Sequence, residues 1–249
     1  MDPKAMDPYG TALQAWFEGN TNAELLVRRD DGLEERLPIS HFFRRPSSFT
    51  LIEQAAIKCC FGRVLDAGAG TGLHAVFLQQ QGLRVTAIDV SPQAVQIMTK
   101  SGVEDARCVD IFDFDGGAFD TLLMMGHGIG IVETIAGLDR FLKHALRLVS
   151  AQGQILLDSV DIRATQNPQH LAYQQANRDA GRYFGEIRMQ FEFGKCTGPY
   201  CGWLHIDCGT LKERAAIAGW SCEAVLQQGD GSYLARLRKQ GFSGRRGLS

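Results

Sequence analysis

The chain has 249 residues, of which 45% are hydrophobic and 22% charged, so it can bury the core of an ordinary globular domain. Its formal net charge of −2 reflects no basic excess, which argues against a nucleic-acid partner. The sequence has no apolar run of about 18 residues and no apolar signal core at its N-terminus, so we expect no membrane partner. It has seven cysteines, of which two are adjacent, and this odd number argues against a disulfide framework and for a cytoplasmic protein.

The first 50 residues predict a helix followed by a hairpin. Residues 8–19 place apolar side chains on one helical face, and strand-like runs at 24–29 and 33–39 flank an Asp-Asp-Gly turn. We expect this segment, 1–50, to cover a larger domain that spans residues 51–240.

Strand and helix patterns alternate in the larger domain. Strands are predicted at 64–66, 84–88, 106–109, 119–125 and 154–160. Each of the first four is followed by a helical or polar connecting segment, and a helix also precedes the fifth. Such alternation predicts an α/β fold with parallel strands and helices on both faces of the sheet.

The pattern changes after the fifth strand. Residues 161–206 predict an inserted helix and β-hairpin, and the sequence Thr210–Glu213 resembles a capping box that opens a short helix. A last hairpin is predicted at 221–238, and residues 241–249 are predicted to be a flexible tail.

A glycine loop carries the strongest chemical signal. An apolar strand runs into Asp66–Gly72, and a helix follows, so the loop can approach a ligand closely beside free helical N–H groups. A dinucleotide fingerprint would need its third glycine where Leu73 stands, and a carboxylate at Asp66 suits an ammonium group better than a pyrophosphate. The predicted ligand contacts in this loop are Asp66, Ala67, Gly68, Ala69, Gly70 and Gly72.

The loop resembles the first motif, acidic-x-G-x-G-x-G, of the class I S-adenosylmethionine-dependent methyltransferases. The resemblance covers roughly residues 60–160 and 207–238. It implies a Rossmann-like doubly wound sheet of seven strands in the order 3-2-1-4-5-7-6, with the last strand antiparallel. It also implies S-adenosyl-L-methionine as the cofactor.

Residues after the next three strands extend the resemblance. Asp89 ends the second strand, about 20 residues beyond the glycine loop, where a carboxylate can accept both ribose hydroxyls; we include the adjacent Val90. The resemblance assigns Asp110 to the adenine amino group, Ile111 to the adenine ring and Met125 to the neighbourhood of the sulfonium. Each alone is also compatible with a cap, a turn or plain core, whereas their order and spacing together favour a cofactor site.

Polar residues after the fourth and fifth strands are candidates for contact with the methyl acceptor. His127 follows the fourth strand among glycines, where ligands bind in open α/β sheets, and we predict it as a catalytic acid/base. The alternative is a loop histidine bonded to backbone. Asp158 and Asp161 could orient an amine or hold a metal, or be ordinary carboxylates at a strand end.

Two absent motifs narrow the acceptor class. The fourth strand is not followed by the Asn/Asp-Pro-Pro-Tyr signature of amino-methylating DNA enzymes, and no Pro-Cys dipeptide supplies the nucleophile of the cytosine-5 enzymes. We therefore expect methyl transfer to N or O of a small molecule, held between the 161–206 insertion and the N-terminal segment. The alternatives are a protein-methylating enzyme, a non-catalytic cofactor-binding module, and a nicotinamide oxidoreductase, which Leu73 and Asp66 disfavour. The expected state is a monomer or a homodimer.

One cluster of nitrogen and sulfur side chains lies on or near the predicted insertion. It consists of Cys196, Cys201, His205 and Cys208. Four such ligands could bind zinc, but the spacing lacks C-x2-C pairs, and cysteine is also a good small apolar core residue. We predict no metal site.

Overall fold

The computed structural model describes residues 1–241, in which helices alternate with strands. The strands of this part are β1 (Glu24–Arg29), β2 (Glu34–Pro38), β3 (Arg63–Ala67), β4 (Arg84–Asp89), β5 (Asp105–Cys108), β6 (Phe119–Met124), β7 (Val149–Val160), β8 (Glu186–Phe193), β9 (Cys196–Thr197), β10 (Cys201–Leu204), β11 (Trp220–Gln227) and β12 (Ser232–Lys239). Its α-helices are α1 (Asp7–Phe17), α2 (Leu51–Cys59), α3 (Leu73–Gln80), α4 (Pro92–Lys100), α5 (Ile135–Leu148), α6 (Pro168–Asp179) and α7 (Cys208–Ile217).

The main sheet has the order β11-β12-β7-β6-β3-β4-β5. Strands β3 to β7 are parallel, and β12 runs antiparallel to both β7 and β11. Numbered within this sheet alone, the order is 3-2-1-4-5-7-6, so the predicted topology is confirmed. Neighbouring residues of one strand point to opposite faces, and Val64 and Leu65 accordingly belong to different apolar clusters. Both faces are therefore covered, as a parallel sheet requires.

The N-terminal segment and the insertion share a second sheet, with the order β10-β8-β1-β2. The predicted hairpins exist, but the strands of one also pair with those of the other: β1 is antiparallel to β8, with Val27 opposite Phe191. A third apolar cluster, which includes Tyr9, Leu25 and Phe191, lies beside this sheet. Segments far apart in sequence therefore build one wall above the main sheet.

Helix starts follow local hydrogen bonding. Ser91 accepts from the N–H of Ala94 at the start of α4, which confirms the predicted cap. The capping box predicted at Thr210 is wrong: α7 begins at Cys208, and Asp207 Oδ1 accepts from two amides of the first turn. The Thr210 hydroxyl instead donates to Asp207 Oδ2 at 2.6 Å. A carboxylate that accepts both amides satisfies more of the helix start than a hydroxyl three residues later.

Residues 242–249, which make up nearly all of the predicted tail, lie outside the described residues. Within 1–241 no helix has the length and apolar composition needed to cross a membrane.

Candidate active site

A cavity of about 410 Å³ lies at the carboxyl ends of β3, β4 and β6 and beside the loop that follows β5. This is where open α/β sheets bind ligands. The opposite wall comes from the second sheet and includes Leu25, Val27, Met189 and Phe191. The cavity thus lies between the glycine loop and the wall built by the appended segments.

The structure brings most of the predicted site residues to this cavity. Those that line it are Gly68, Ala69, Gly70, Asp89, Val90, Asp110, Ile111, Met125 and His127. Asp66, Ala67 and Gly72 are not among the lining residues. Gly72 has a backbone reason to be glycine, since its φ is 79° and an added Cβ would lie 2.7 Å from Val103 Cγ2.

The Asp89 carboxylate, at the cavity, accepts hydrogen bonds from two backbone segments. Gly70 N–H donates to its Oδ2 and Ser91 N–H to its Oδ1, each at 2.9 Å. The residue is 7% exposed, and burial raises its pKa while the backbone N–H bonds oppose that rise. A carboxylate offers about four acceptor sites, so one remains on each oxygen. Two adjacent free acceptors fit the two hydroxyls of a ribose.

Asp66 lies beneath the glycine loop rather than in the cavity wall. It is 1% exposed, and its Oδ2 has no hydrogen-bond partner among the described residues. Burial raises its pKa to about 6; nearby His74 lowers it and Asp89 raises it further. The role predicted for Asp66 at an ammonium group stays a prediction.

His127 lines the cavity and contacts the buried Asp158, which is not among the lining residues. The His127 N–H donates to both carboxylate oxygens of Asp158, at 3.0 and 3.1 Å, and its Nδ1 lies 3.9 Å from Asp158 Oδ2. The backbone of His127 is left-handed, with a φ of 58°. This conformation costs a non-glycine residue about 1–2 kcal/mol. Burial raises the pKa of Asp158, and the neighbouring imidazole opposes that rise. Strained backbone beside a buried carboxylate is typical of functional loops.

A second imidazole, His205, faces His127. Their ring centroids are 5.7 Å apart with the planes 74° from parallel. Burial lowers the pKa of His205 to about 3, with a smaller contribution from His127, so His205 stays neutral near pH 7. Asp161, by contrast, caps a short turn and pairs with Arg163 at 2.7 Å, outside the cavity lining. Its ordinary strand-end interpretation fits this placement.

Sequence reasoning missed cavity residues that tertiary packing brings in. Arg44 and His74 both contact Glu53 Oε1 at 2.9 Å, and all three line the cavity. Burial opposes ionisation of Glu53, but its bonds to His74, the Thr50 amide and Arg44 outweigh it and lower its pKa to about 2. The Tyr9 hydroxyl lies 2.8 Å from where a Cβ on Gly70 would stand. The sequence signals that could have found members of this group are the aromatic Tyr9 in the N-terminal segment and the basic, aromatic composition of residues 41–48.

The nitrogen and sulfur cluster predicted not to bind metal is dispersed. Cys201 is buried in the third apolar cluster and Cys208 packs against the first, whereas His205 lines the cavity. Among residues 1–241, no group of three or more His, Cys, Asp or Glu side chains is arranged to hold a metal ion.

Comparison with known proteins identifies the family. The family profile described as a methyltransferase domain matches residues 65–157. A SAM-dependent methyltransferase of Bacteroides fragilis, crystallised with S-adenosyl-L-homocysteine, is 32% identical, and the alignment covers 96% of this chain and 97% of that one with a TM-score of 0.84. The chain belongs to the S-adenosylmethionine-dependent methyltransferases. The cofactor of this methyltransferase is accordingly S-adenosyl-L-methionine.

Curated relatives match the methyltransferase over shorter segments. An S-adenosyl-L-methionine-dependent Diels-Alderase, iccD, of Talaromyces variabilis is 30% identical in an alignment of 96 residues that covers 32% of this chain and 32% of that protein. A ubiquinone biosynthesis O-methyltransferase of Xylella fastidiosa (strain 9a5c) is 44% identical over 48 residues, covering 19% of this chain and 20% of that protein. The methyltransferase thus aligns with at most about a third of these relatives' lengths.

Proposed function

We propose that this methyltransferase transfers a methyl group to an oxygen or nitrogen of a small molecule held in the cavity. The observation that carries the proposal is the apolar lining contributed by the second sheet, which includes Val27, Met189, Phe191 and Trp203. Mostly apolar walls with a few polar groups are typical of small-molecule sites. A protein-methylating enzyme, the runner-up, needs an open groove, and the second sheet occupies that side.

The cofactor site is assigned from its donors and acceptors. We assign the free acceptor positions of Asp89 to the ribose hydroxyls, and Asp110, Ile111 and Val90 to the adenine end. Arg44 also lines the cavity, but it is bonded to Glu53 and to two backbone carbonyls, so one N–H of its Nη2 remains to donate to a carboxylate. When bound, the cofactor supplies a methyl group activated by a positively charged sulfur. The protein must then orient the acceptor and exclude water.

His127 and Asp158 are proposed to handle the acceptor's proton. Because His127 Nδ1 is buried beside Asp158, the half-exposed part of the ring is the Nε2 edge. Nε2 can take the proton of a hydroxyl or amine, and the Asp158 carboxylate then stabilises the imidazolium. The distance of 3.9 Å is too long for a hydrogen bond, but such contacts often tighten when substrate binds.

Calorimetry first tests whether the cofactor binds, and a turnover assay then tests which acceptors are methylated. We expect S-adenosylhomocysteine to bind, NAD not to bind, and the Asp89→Ala variant to lose the adenosyl ligand. A panel of phenols, aliphatic alcohols and amines, together with unfolded proteins, is then offered with S-adenosylmethionine, and released S-adenosylhomocysteine is measured. Turnover with proteins alone would favour the runner-up, and binding without any turnover would favour a non-catalytic module.

We also propose a cytoplasmic enzyme. All seven cysteines are free, and Cys59 and Cys60 remain adjacent thiols, which supports a reducing compartment. The expected state remains a monomer or a homodimer, and sedimentation at several concentrations would distinguish the two.

A further inference from the structure

A second chamber of about 160 Å³ adjoins the cavity on the side away from the glycine loop. The two spaces share four lining residues, which are Val27, Glu35, Met189 and His205. Leu33, Tyr173 and Ile187 line only the chamber, which therefore lies between the β1–β2 hairpin, β8 and α6. Neither the family assignment nor the proposed chemistry at His127 gives this chamber a role.

Most polar side chains around the chamber have hydrogen-bond partners: His170 contacts Thr165 Oγ1 at 3.2 Å and Gln174 donates to the Ile162 carbonyl at 2.8 Å, while Glu35 is exposed. Arg29 donates to both oxygens of Asp31 at 2.7 Å, and its guanidinium lies over the Tyr173 ring, 4.3 Å from the centroid. The Tyr173 hydroxyl donates to Asp30 at 2.8 Å. The rest of the lining is mainly aliphatic side chains and ring faces, including the neutral ring of His205. An apolar group can enter without leaving a buried charge unpaired.

The main cavity has to hold both the cofactor and the reacting end of the acceptor, which leaves little room there for the acceptor's far end. A volume of about 410 Å³ suits one drug-sized ligand, and the cofactor, an adenosine joined to an amino acid, is itself such a ligand. The chamber adds about 160 Å³, well above the roughly 10–15 Å³ that one water-sized group needs on the same measure. His205 borders both spaces and faces His127, so a molecule held at His127 passes His205 to enter the chamber.

We propose that this chamber is a distal subsite of the methyl acceptor and takes an aromatic or aliphatic group attached to the reacting hydroxyl or amine. The inference rests on the proposed function, because it assumes a small acceptor at His127. It narrows the acceptor from any small molecule to an elongated one with a polar reacting end and an apolar far end.

The probes are phenol, 4-ethylphenol and 4-propylphenol, with the matching anilines, titrated by calorimetry into enzyme saturated with S-adenosylhomocysteine. Each methylene that enters an apolar site gains about fourfold in affinity, so 4-propylphenol is expected to bind about 60-fold more tightly than phenol. Leu33→Trp fills the chamber alone and should abolish this gain while phenol still binds. Leu26→Trp is the matched control, because Leu26 is adjacent to Val27 in β1 and points to the other face.

The affinity for S-adenosylhomocysteine, measured first, should be the same in all three proteins and verifies that each is folded. A chain-length gain that survives in Leu33→Trp, or no gain in the wild type, overturns the subsite. Binding of no phenol or aniline also overturns it, whereas the proposed function is decided separately by turnover with the broader acceptor panel. Methylated phenol without a chain-length effect would therefore refute the subsite and leave the proposed function standing.

Discussion

The Asp89→Asn substitution tests two roles of this buried carboxylate. The carboxylate accepts hydrogen bonds from the N–H groups of Gly70 and Ser91, and it is proposed to accept those of the ribose hydroxyls. An amide keeps one accepting oxygen, so either the Gly70 or the Ser91 N–H loses its partner. One buried donor without a partner costs about 1–3 kcal/mol, which lowers the melting temperature of a chain of this length by about 2–12 °C. One hydrogen bond from ribose to a charged acceptor is also lost, at about 1.5–3 kcal/mol, so S-adenosylhomocysteine should bind about 10- to 150-fold more weakly.

The assay is calorimetric titration well below the melting temperature, with thermal unfolding measured in parallel. Asp105→Asn is the matched control: Asp105 lies in the adjacent strand and bonds Arg107 and Thr86, but it does not line the cavity. Its affinity for the ligand should be that of the wild type. If Asp89→Asn bound S-adenosylhomocysteine within about twofold of wild type, the ribose assignment would be refuted even if stability fell.

Three further changes test other parts of the structure. His127→Asn should keep the fold, because Asn tolerates the left-handed backbone, but slow methyl transfer about 10²- to 10⁴-fold. Asp207→Ala should lower the unfolding free energy by about 0.5–2 kcal/mol and Thr210→Ala by less, measured in urea. The pKa of Glu53 is about 2, which is below its ordinary value of 4.5. The ionised carboxylate therefore stabilises the fold above pH 4.5, and this contribution is lost as the pH falls towards 2. Glu53→Gln should remove that part of the pH dependence of the unfolding free energy.

Each of these three predictions would be contradicted by a specific result. A wild-type transfer rate in His127→Asn would remove this imidazole from proton transfer. A larger loss in Thr210→Ala than in Asp207→Ala would reinstate the capping box at the later position. Identical acid dependence in wild type and Glu53→Gln would mean that the Glu53 contacts do not stabilise the fold, and Glu34→Gln, on the exposed β2 strand, serves as the surface control.

The main sheet could be predicted because its signals are local. Apolar runs ending in Asp66, Asp89 and Met125 each lead into a loop, and parallel strands bring these ends to one edge. The second sheet could not be predicted in the same way. Arg28 and Glu192 meet across β1 and β8 although they are 164 positions apart, and alternation within a strand does not specify its partner.

The same distinction applies to the site. Residues that follow a strand, such as Asp110 and His127, can be predicted to lie at the cavity because the carboxyl ends of parallel strands meet at one edge of the sheet. Tyr9, Arg44 and Glu53 reach the cavity from helices and loops whose position depends on packing, and nothing in their own segments specifies that position. The helix start at Asp207 was missed because the Thr–Glu pattern three residues later gives a similar signal.

Because β1 pairs with β8, the second sheet can form only after β8 has been synthesised. The β1–β2 hairpin is synthesised more than 150 residues before its partner strand, an interval of about 8–30 s at 5–20 residues per second. A lone two-stranded hairpin is marginal in water and leaves β1 with an unpaired edge, a liability for aggregation during that interval. A nascent chain can therefore complete the parallel strands around the glycine loop before it encloses the space for the acceptor. Folding on the ribosome should then yield first a cofactor site and only later an acceptor pocket.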